Sequence, residues 1–413
     1  MLEDLLKSPV TRRRLCTGLV ADHIEAFADW LQRHGYAPIT IELRLRSLVA
    51  WADWLQTAGF TANDYLSGFE AFKAALGRER VRYSRGPNDD SRVAAALFIA
   101  FLRDGGVLPA FPPPAPSPVD QWPILAEFRS WMRQHRGLQE STLDVYQNVV
   151  VDMLVAIGDT PQTYVAALVR DFVLQRAKPH GTCRAKSIAN AVRAFLQFLS
   201  ATGRCAAGLD QAVPTYASWK QSSVPRYLEP ADVRRVLDAC MANDANGLRD
   251  RAVMLLLARL GLRASDVAGL TLRDIDWKNG RLAVCGKGRR QEWLPLPQDV
   301  GDAVFRYIRE ARPGNETDRV FARVRAPFGT LTRAAVTHIA RSALRRAAIK
   351  APINGARVFR HSAATAMLRE GASLAEVGAV LRHCSPSTTA HYAKVDFGLL
   401  GEIAQPWPEV SSC

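Results

Sequence analysis

The sequence predicts a mainly α protein with one small β-sheet or hairpin in its last domain, and three observations carry that expectation. Apolar residues recur at helical spacing along most of the chain. Two Pro-containing segments cut it into three helical stretches. A single short region alternates about a Gly-rich turn. With 413 residues, 48% of them hydrophobic, the chain is long enough to bury several domain-sized cores. The expected division is a helical domain over 1–107, a Pro-rich linker over 108–121, a second helical domain over 122–205, a linker over 206–226, a third domain over 227–405 and a tail over 406–413.

The first two domains look alike. "FADWLQRHG" (Phe27 to Gly35) has its counterpart in "FRSWMRQHRG" (Phe128 to Gly137), and "FIAFLRDGG" (Phe98 to Gly106) in "FLQFLSATG" (Phe195 to Gly203). The repetition reads as an internal duplication of a small helical domain. In the second copy Leu125, Phe128, Trp131 and Met132, then Leu143, Tyr146, Val150, Met153 and Leu154, then Ile188, Val192, Phe195 and Leu199 mark helical faces. "LPAFPPPAPSPVDQWP", between the copies, has too many prolines for helix or central strand and reads as an extended connection.

After "AVPTYASWKQSSVPRY" a helix opens at "LEPADVRRVLDAC", with Pro230 in its first turn. "RLAVCG" and "QEWLPLP" flank "GKGRR", the pattern of a hairpin with a Gly-rich tip. Val336, Ile339, Ala340, Ala343 and Leu344 mark a long helix, and further helices follow over 357–369 and 374–381.

Charge points to the partner. Lys and Arg number 54 against 40 Asp and Glu, a formal +14, which favours a polyanion, nucleic acid before an anionic membrane. Arginine dominates the excess, and its planar fork grips phosphate bidentately. The seven cysteines are scattered, odd in number and never spaced C-x-x-C, so neither a disulfide framework nor a zinc site is expected, and a reducing cytoplasm fits. Asp22 and Glu25 interrupt the apolar stretch after "TRRRLC" too early for a secretion signal, and no apolar run approaches a membrane span.

The third domain offers cations and one phenol where an enzyme of another class would offer carboxylate clusters. They are Arg263 in "GLRASDVAGL", Lys287 in "CGKGRRQEW", Arg357, Arg360 and His361 in "ARVFRHSAATAMLREG", and His383 and Tyr392 in "LRHCSPSTTAHY". Singly, each suits a surface, capping or packing role. Jointly, "GLRASD", "GKGRRQEWLPL", "RVFRHSAAT" and "LRHCSPSTTAHY" stand in the order and with the internal spacings of the tyrosine recombinase family, the lambda-integrase and Xer type, which the chain resembles over about residues 122–405.

The resemblance implies a core-binding domain over 122–205 and a recombinase catalytic domain over 227–405, and the duplication then makes residues 1–107 an extra, SAM-like helical domain. It implies a site-specific recombinase that cuts and rejoins DNA through a 3'-phosphotyrosyl link on Tyr392, in integration or excision of a mobile element. Its partner is double-stranded DNA, bound as a dimer on a site and a tetramer in the synapse, with related recombinases or accessory proteins as further partners. By the same resemblance no cofactor, metal or membrane would be involved, and the protein would be cytoplasmic and nucleoid-associated.

Arg263 and Arg360 would absorb the charge that grows on the non-bridging oxygens, Lys287 would protonate the departing 5'-oxygen, and His383 would hydrogen-bond the phosphate. Ser385 and Ser387 would begin and cap the helix that carries Tyr392. Asp266 would pair with a buried arginine. Beyond Tyr392, the apolar face of Phe397, Leu399, Leu400 and Ile403 would pack on its own core or exchange between protomers.

Two positions depart from the family. Arg357 stands where a histidine is usual, and Arg382 replaces the glycine of "L-G-H". Arginine is no proton acceptor at neutral pH, so a base role at Arg357 is lost or passes to His361, which also fits a merely buried helix residue. One rival keeps the chemistry and changes the task, a transposase or resolvase of a mobile element; the other is a catalytically impaired DNA-binding architectural or regulatory protein of the same fold. The presence together of Arg263, Lys287, Arg360, His383 and Tyr392 weighs against it.

Overall fold

In residues 1–108, Ser8 accepts from the Thr11 N–H and starts α1 (Pro9–Thr17). Helices α2 (Ile24–Arg33), α3 (Pro38–Thr57), α4 (Tyr65–Arg78) and α5 (Asp89–Asp104) follow. Pro38 sits in the first turn of α3, where its missing N–H costs nothing. Their apolar faces close on Phe27, Leu48, Trp51, Phe72 and Phe98. The computed structural model describes residues 2–6, 8–78, 89–110, 117–217, 224–241, 243–285, 291–314, 317–383, 385–395 and 400–401.

Residues 109–222 form one compact unit, and residues 1–108 with 223–413 form another. In the former, α6 (Ile124–Arg136) ends on Gly137 at φ 57°, the left-handed conformation that stops a helix. Helices α7 (Glu140–Ile157), α8 (Ala166–Ala177) and α9 (Thr182–Ala201) complete a bundle around Phe128, Val150, Val192, Phe195 and Phe198.

Within the other unit, the C-terminal residues build a core of their own. Helix α10 (Pro230–Asp238) leads to α11 (Ala245–Arg259), which packs against later helices and supplies Val253, Leu256 and Leu257 to the interior. After α12 (Ala264–Gly269) come β1 (Ile275–Asp276), β2 (Arg281–Cys285) and β3 (Gln291–Pro295), an antiparallel sheet in that order. Ile275 pairs with Leu282 and Leu282 with Leu294, so one face of the sheet lies on the core. The expected hairpin is present, and β1, too short to show in the sequence pattern, extends it. Helices α13 (Gln298–Glu310), α14 (Arg333–Arg346), α15 (Arg357–Arg369) and α16 (Leu374–Val380) follow.

The two halves of this unit touch. Arg323 N–H donates to the Gly329 carbonyl at 2.8 Å and closes a loop whose Ala326 packs on the N-terminal core. Phe328 on that loop lies so near Gly35 that a Cβ there would come within 2.5 Å of its ring.

Candidate active site

Three junctions of the C-terminal core assemble the charged residues. The chain leaves α11 through Gly261, at φ 57°, where a Cβ would come within 2.7 Å of Leu381. Both the conformation and the close approach demand glycine. Arg263 follows as the residue that opens α12, Arg360 and His361 project from α15, and the turn after α16 brings Leu381, Arg382 and His383 alongside.

Hydrogen bonds fix the two guanidinium groups. Arg360, 8% exposed, donates from Nη1 to the Gly261 carbonyl at 2.8 Å and from Nη2 to the Leu381 carbonyl. Arg263 Nη2 donates to the Arg382 carbonyl at 3.4 Å. Burial and the neighbouring Arg263 charge bring the Arg360 pKa down to about 10, which leaves it cationic at neutral pH. Two like charges held together in a half-dry site are the arrangement that a phosphate diester would relieve.

Tyr392, 3% exposed, lies in a small core with Ala364, Leu368, Val377, Leu381 and Val395. Its hydroxyl is 2.9 Å from His361 Nδ1. Burial raises the phenol pKa, while the charges of Arg360, Arg357 and Arg263 act to lower it. The His361 pKa is depressed to about 4, first by burial and then by Arg357, His391 and Arg360, so the imidazole is neutral and has a lone pair for the phenol proton. His383, depressed to about 4 by burial, Arg360 and Arg263, makes a 2.7 Å hydrogen bond through Nδ1 with Thr389 Oγ1. Its ring lies parallel to that of Tyr392 at 6.2 Å.

Arg357, at the exposed start of α15, is near enough to act on His361, His391 and Tyr392. Lys287 lies outside the described residues, as does the "GKGRR" tip. So do Phe397, Leu399 and Ile403 of the anticipated terminal helix; Leu400 is described and partly exposed. The structure thus brings together five of the six expected catalytic residues, Arg263, Arg357, Arg360, His383 and Tyr392, and adds His361.

One local expectation is corrected. Ser385 does begin the next helix as its N-cap residue, but its side chain makes no capping bond: its Oγ lies 2.9 Å from Ser387 Oγ, and the helix is only Pro386–Thr389. Tyr392 then stands on a 3-10 segment, Ala390–Val395, tighter than the helix the sequence suggested. Asp266 does pair with a buried arginine: Arg382 Nη2 donates to its Oδ2 at 2.7 Å. Among the described residues no group of three or more His, Cys, Asp or Glu is placed to hold a metal ion, and no helix is long and apolar enough to cross a membrane.

Residues 226–398 match the model of the phage integrase family. "Putative integrase/recombinase y4rA" of Sinorhizobium fredii is 38% identical over 401 residues, covering 95% of this chain and 95% of that protein. The chain belongs to the tyrosine recombinase family. The tyrosine recombinase XerD of Pseudomonas aeruginosa is 29% identical over 285 residues, 66% of this chain and 93% of that one. Two solved structures share the fold. XerH recombinase with palindromic difH substrate after cleavage superimposes with a TM-score of 0.53 at 16% identity, covering 84% of this chain and 95% of its own. A lambda integrase fragment on a core site gives 0.51 at 16% identity, covering 70% and 97%. The protein is a site-specific tyrosine recombinase, and the architectural alternative is not favoured.

Proposed function

We propose that Tyr392 cuts a DNA strand by attacking the scissile phosphorus, forming a 3'-phosphotyrosyl bond and releasing the 5'-oxygen, and that reversal onto another strand completes recombination. The observation that carries this is the hydroxyl of a buried tyrosine bonded to a neutral histidine, beside two arginines, Arg360 and Arg263, fixed by the Gly261 and Arg382 carbonyls. His361 Nδ1 takes the phenol proton as the Oη–P bond forms. Arg263 and Arg360 stabilise the charge on the non-bridging oxygens, Arg357 donates to the same phosphate, and His383 hydrogen-bonds it. Lys287 returns a proton to the leaving oxygen. The tyrosyl ester conserves the energy of the broken bond, so neither ATP nor a metal is needed.

Double-stranded DNA is the partner, gripped by residues 122–205 and 227–405, with residues 1–107 as an extra module. A dimer on each site and a four-protomer synapse fit strand exchange. The net charge of +14 supports DNA binding dominated by phosphate contacts. Integration or excision of a mobile element in the bacterial cytoplasm is the task favoured.

The test requires no knowledge of the target. Purified protein is incubated with fragmented host DNA containing nicked and intact duplexes, denatured in detergent and captured, and the attached DNA is sequenced. Wild type should enrich one sequence and Tyr392→Phe should retain none; a bare wild type that still binds DNA would refute the cleavage mechanism.

pH offers a second check. His361 and His383 resist protonation when folded, both titrating near 4 against an ordinary value near 6.5. The unfolded chain therefore takes up their protons first, and stability falls as pH drops from about 6.5 towards about 4. Urea midpoints across this range should fall less steeply in His361→Gln than in wild type.

A further inference from the structure

Arg382 is a costly residue for its position. Its φ of 55° is the left-handed conformation that glycine adopts freely. Its side chain is 1% exposed, yet Nε and Nη1 have no hydrogen-bond partner. A buried cation with idle donors, on a strained backbone, is unfavourable unless something depends on it.

What depends on it is visible in the carboxylate it holds. Asp266 Oδ2 lies 2.7 Å from Arg382 Nη2 and 3.9 Å from Arg263 Nη1, so two guanidinium groups compete for one buried oxygen. The same oxygen accepts the Arg263 backbone N–H at 3.2 Å, which anchors the carboxylate at the start of α12 whichever side chain it pairs with. Were Asp266 to close on Arg263, it would neutralise half of the phosphate clamp and set a negative charge where a phosphate must enter.

We propose that Arg382 is a positioning residue that holds Asp266 away from Arg263 and so keeps the Arg263 guanidinium free for phosphate. Its carbonyl, accepting from Arg263 Nη2 at 3.4 Å, aims that group while its side chain disarms the competing carboxylate. Residues 116 positions apart are thereby joined into one device. The proposal rests on the assignment of Arg263 to the phosphate, so its test includes a probe that needs no cleavage.

Four full-length proteins are compared: wild type, Arg382→Gly, Arg382→Lys and the double variant Arg382→Gly with Asp266→Asn. Glycine suits the left-handed backbone, so the first variant removes the side chain without adding strain. Binding of inorganic orthovanadate, a phosphate-like oxyanion, is measured by calorimetry, and covalent DNA capture from the fragment pool is timed at saturating protein. Arg382→Gly should weaken vanadate about 10-fold and slow capture about 10- to 100-fold, with total DNA binding changed less than about 3-fold. The double variant should recover both to within about 3-fold of wild type, and Arg382→Lys should lie between.

Equal vanadate affinity in wild type and Arg382→Gly would overturn the proposal, as would a double variant no better than the single one. If Arg382→Gly does not fold, the double variant decides: vanadate binding near wild type supports the proposal, and lost binding in a folded double variant overturns it. Should wild type capture no DNA, the cleavage mechanism fails, while the vanadate series still judges Arg382.

Discussion

Phe27 and Phe98 meet edge to face at 5.3 Å and 86° in residues 1–108; Phe128 and Phe195 meet at 5.3 Å and 80° in residues 109–222. The outer rings repeat as well, Trp30 with Phe101 at 6.2 Å and Trp131 with Phe198 at 6.0 Å. Around these matching aromatic knots the modules diverge. The first adds a second shell of rings, with Trp51 against Tyr65, Phe69 and Phe98, and Trp54 against Phe60 and Phe72. The second has no such outer ring set among the described residues, while ion pairs lace both: Arg14 with Asp53 and Arg44 with Asp90 in the first, Arg129 with Glu140 and Asp144 and Arg176 with Asp152 in the second. What repeats is the aromatic knot that closes each bundle. Gly35 and Gly137 end corresponding helices in the left-handed conformation, yet only Gly35 is pressed against another element, the Phe328 ring.

Breaking the shared knot should have the largest effect. Phe98→Ala and Phe195→Ala each remove a fully buried ring, and each should cost about 3–5 kcal/mol in urea unfolding. Costs differing by more than about 2 kcal/mol would show that the modules are alike in geometry but not in energy.

The glycines sharpen the contrast. Gly137→Ala, with open space around the new methyl, should cost about 1 kcal/mol for its backbone conformation alone. Gly35→Ala adds a clash with Phe328 and should cost about 2–3 kcal/mol, of which Phe328→Ala restores the steric part. Equal costs at the two glycines would sever the inferred tie between the N-terminal module and the 323–329 loop.

The smallest effect belongs to the charges. Arg129→Ala should lower the thermal midpoint by about 2 °C in dilute buffer and by less in 1 M salt, because both its carboxylate partners are largely exposed.

Much of this was legible in the sequence because it is local. The aromatic residues that repeat at fixed spacing, the hairpin strands and the ordered catalytic motifs each need only a dozen neighbouring residues to be recognised. The rest depends on encounters between distant segments. Nothing near Asp266 announces Arg382, and glycine at position 382 would have been the safer expectation from backbone geometry. The bond between His361 and Tyr392 was only partly visible: the misfit of Arg357 pointed to His361 as the alternative base, but a buried helix residue fitted the same position equally well. The serines after His383 misled because Ser385 and Ser387 satisfy one another, a competition that composition does not show.

Tyr392 is stored rather than displayed. At 3% exposure, with its hydroxyl on His361, the phenol must shift towards solvent before it can meet anything as large as a phosphate diester. Its mount is a short 3-10 segment, whose hydrogen bonds are poorer than those of an α-helix and open more cheaply.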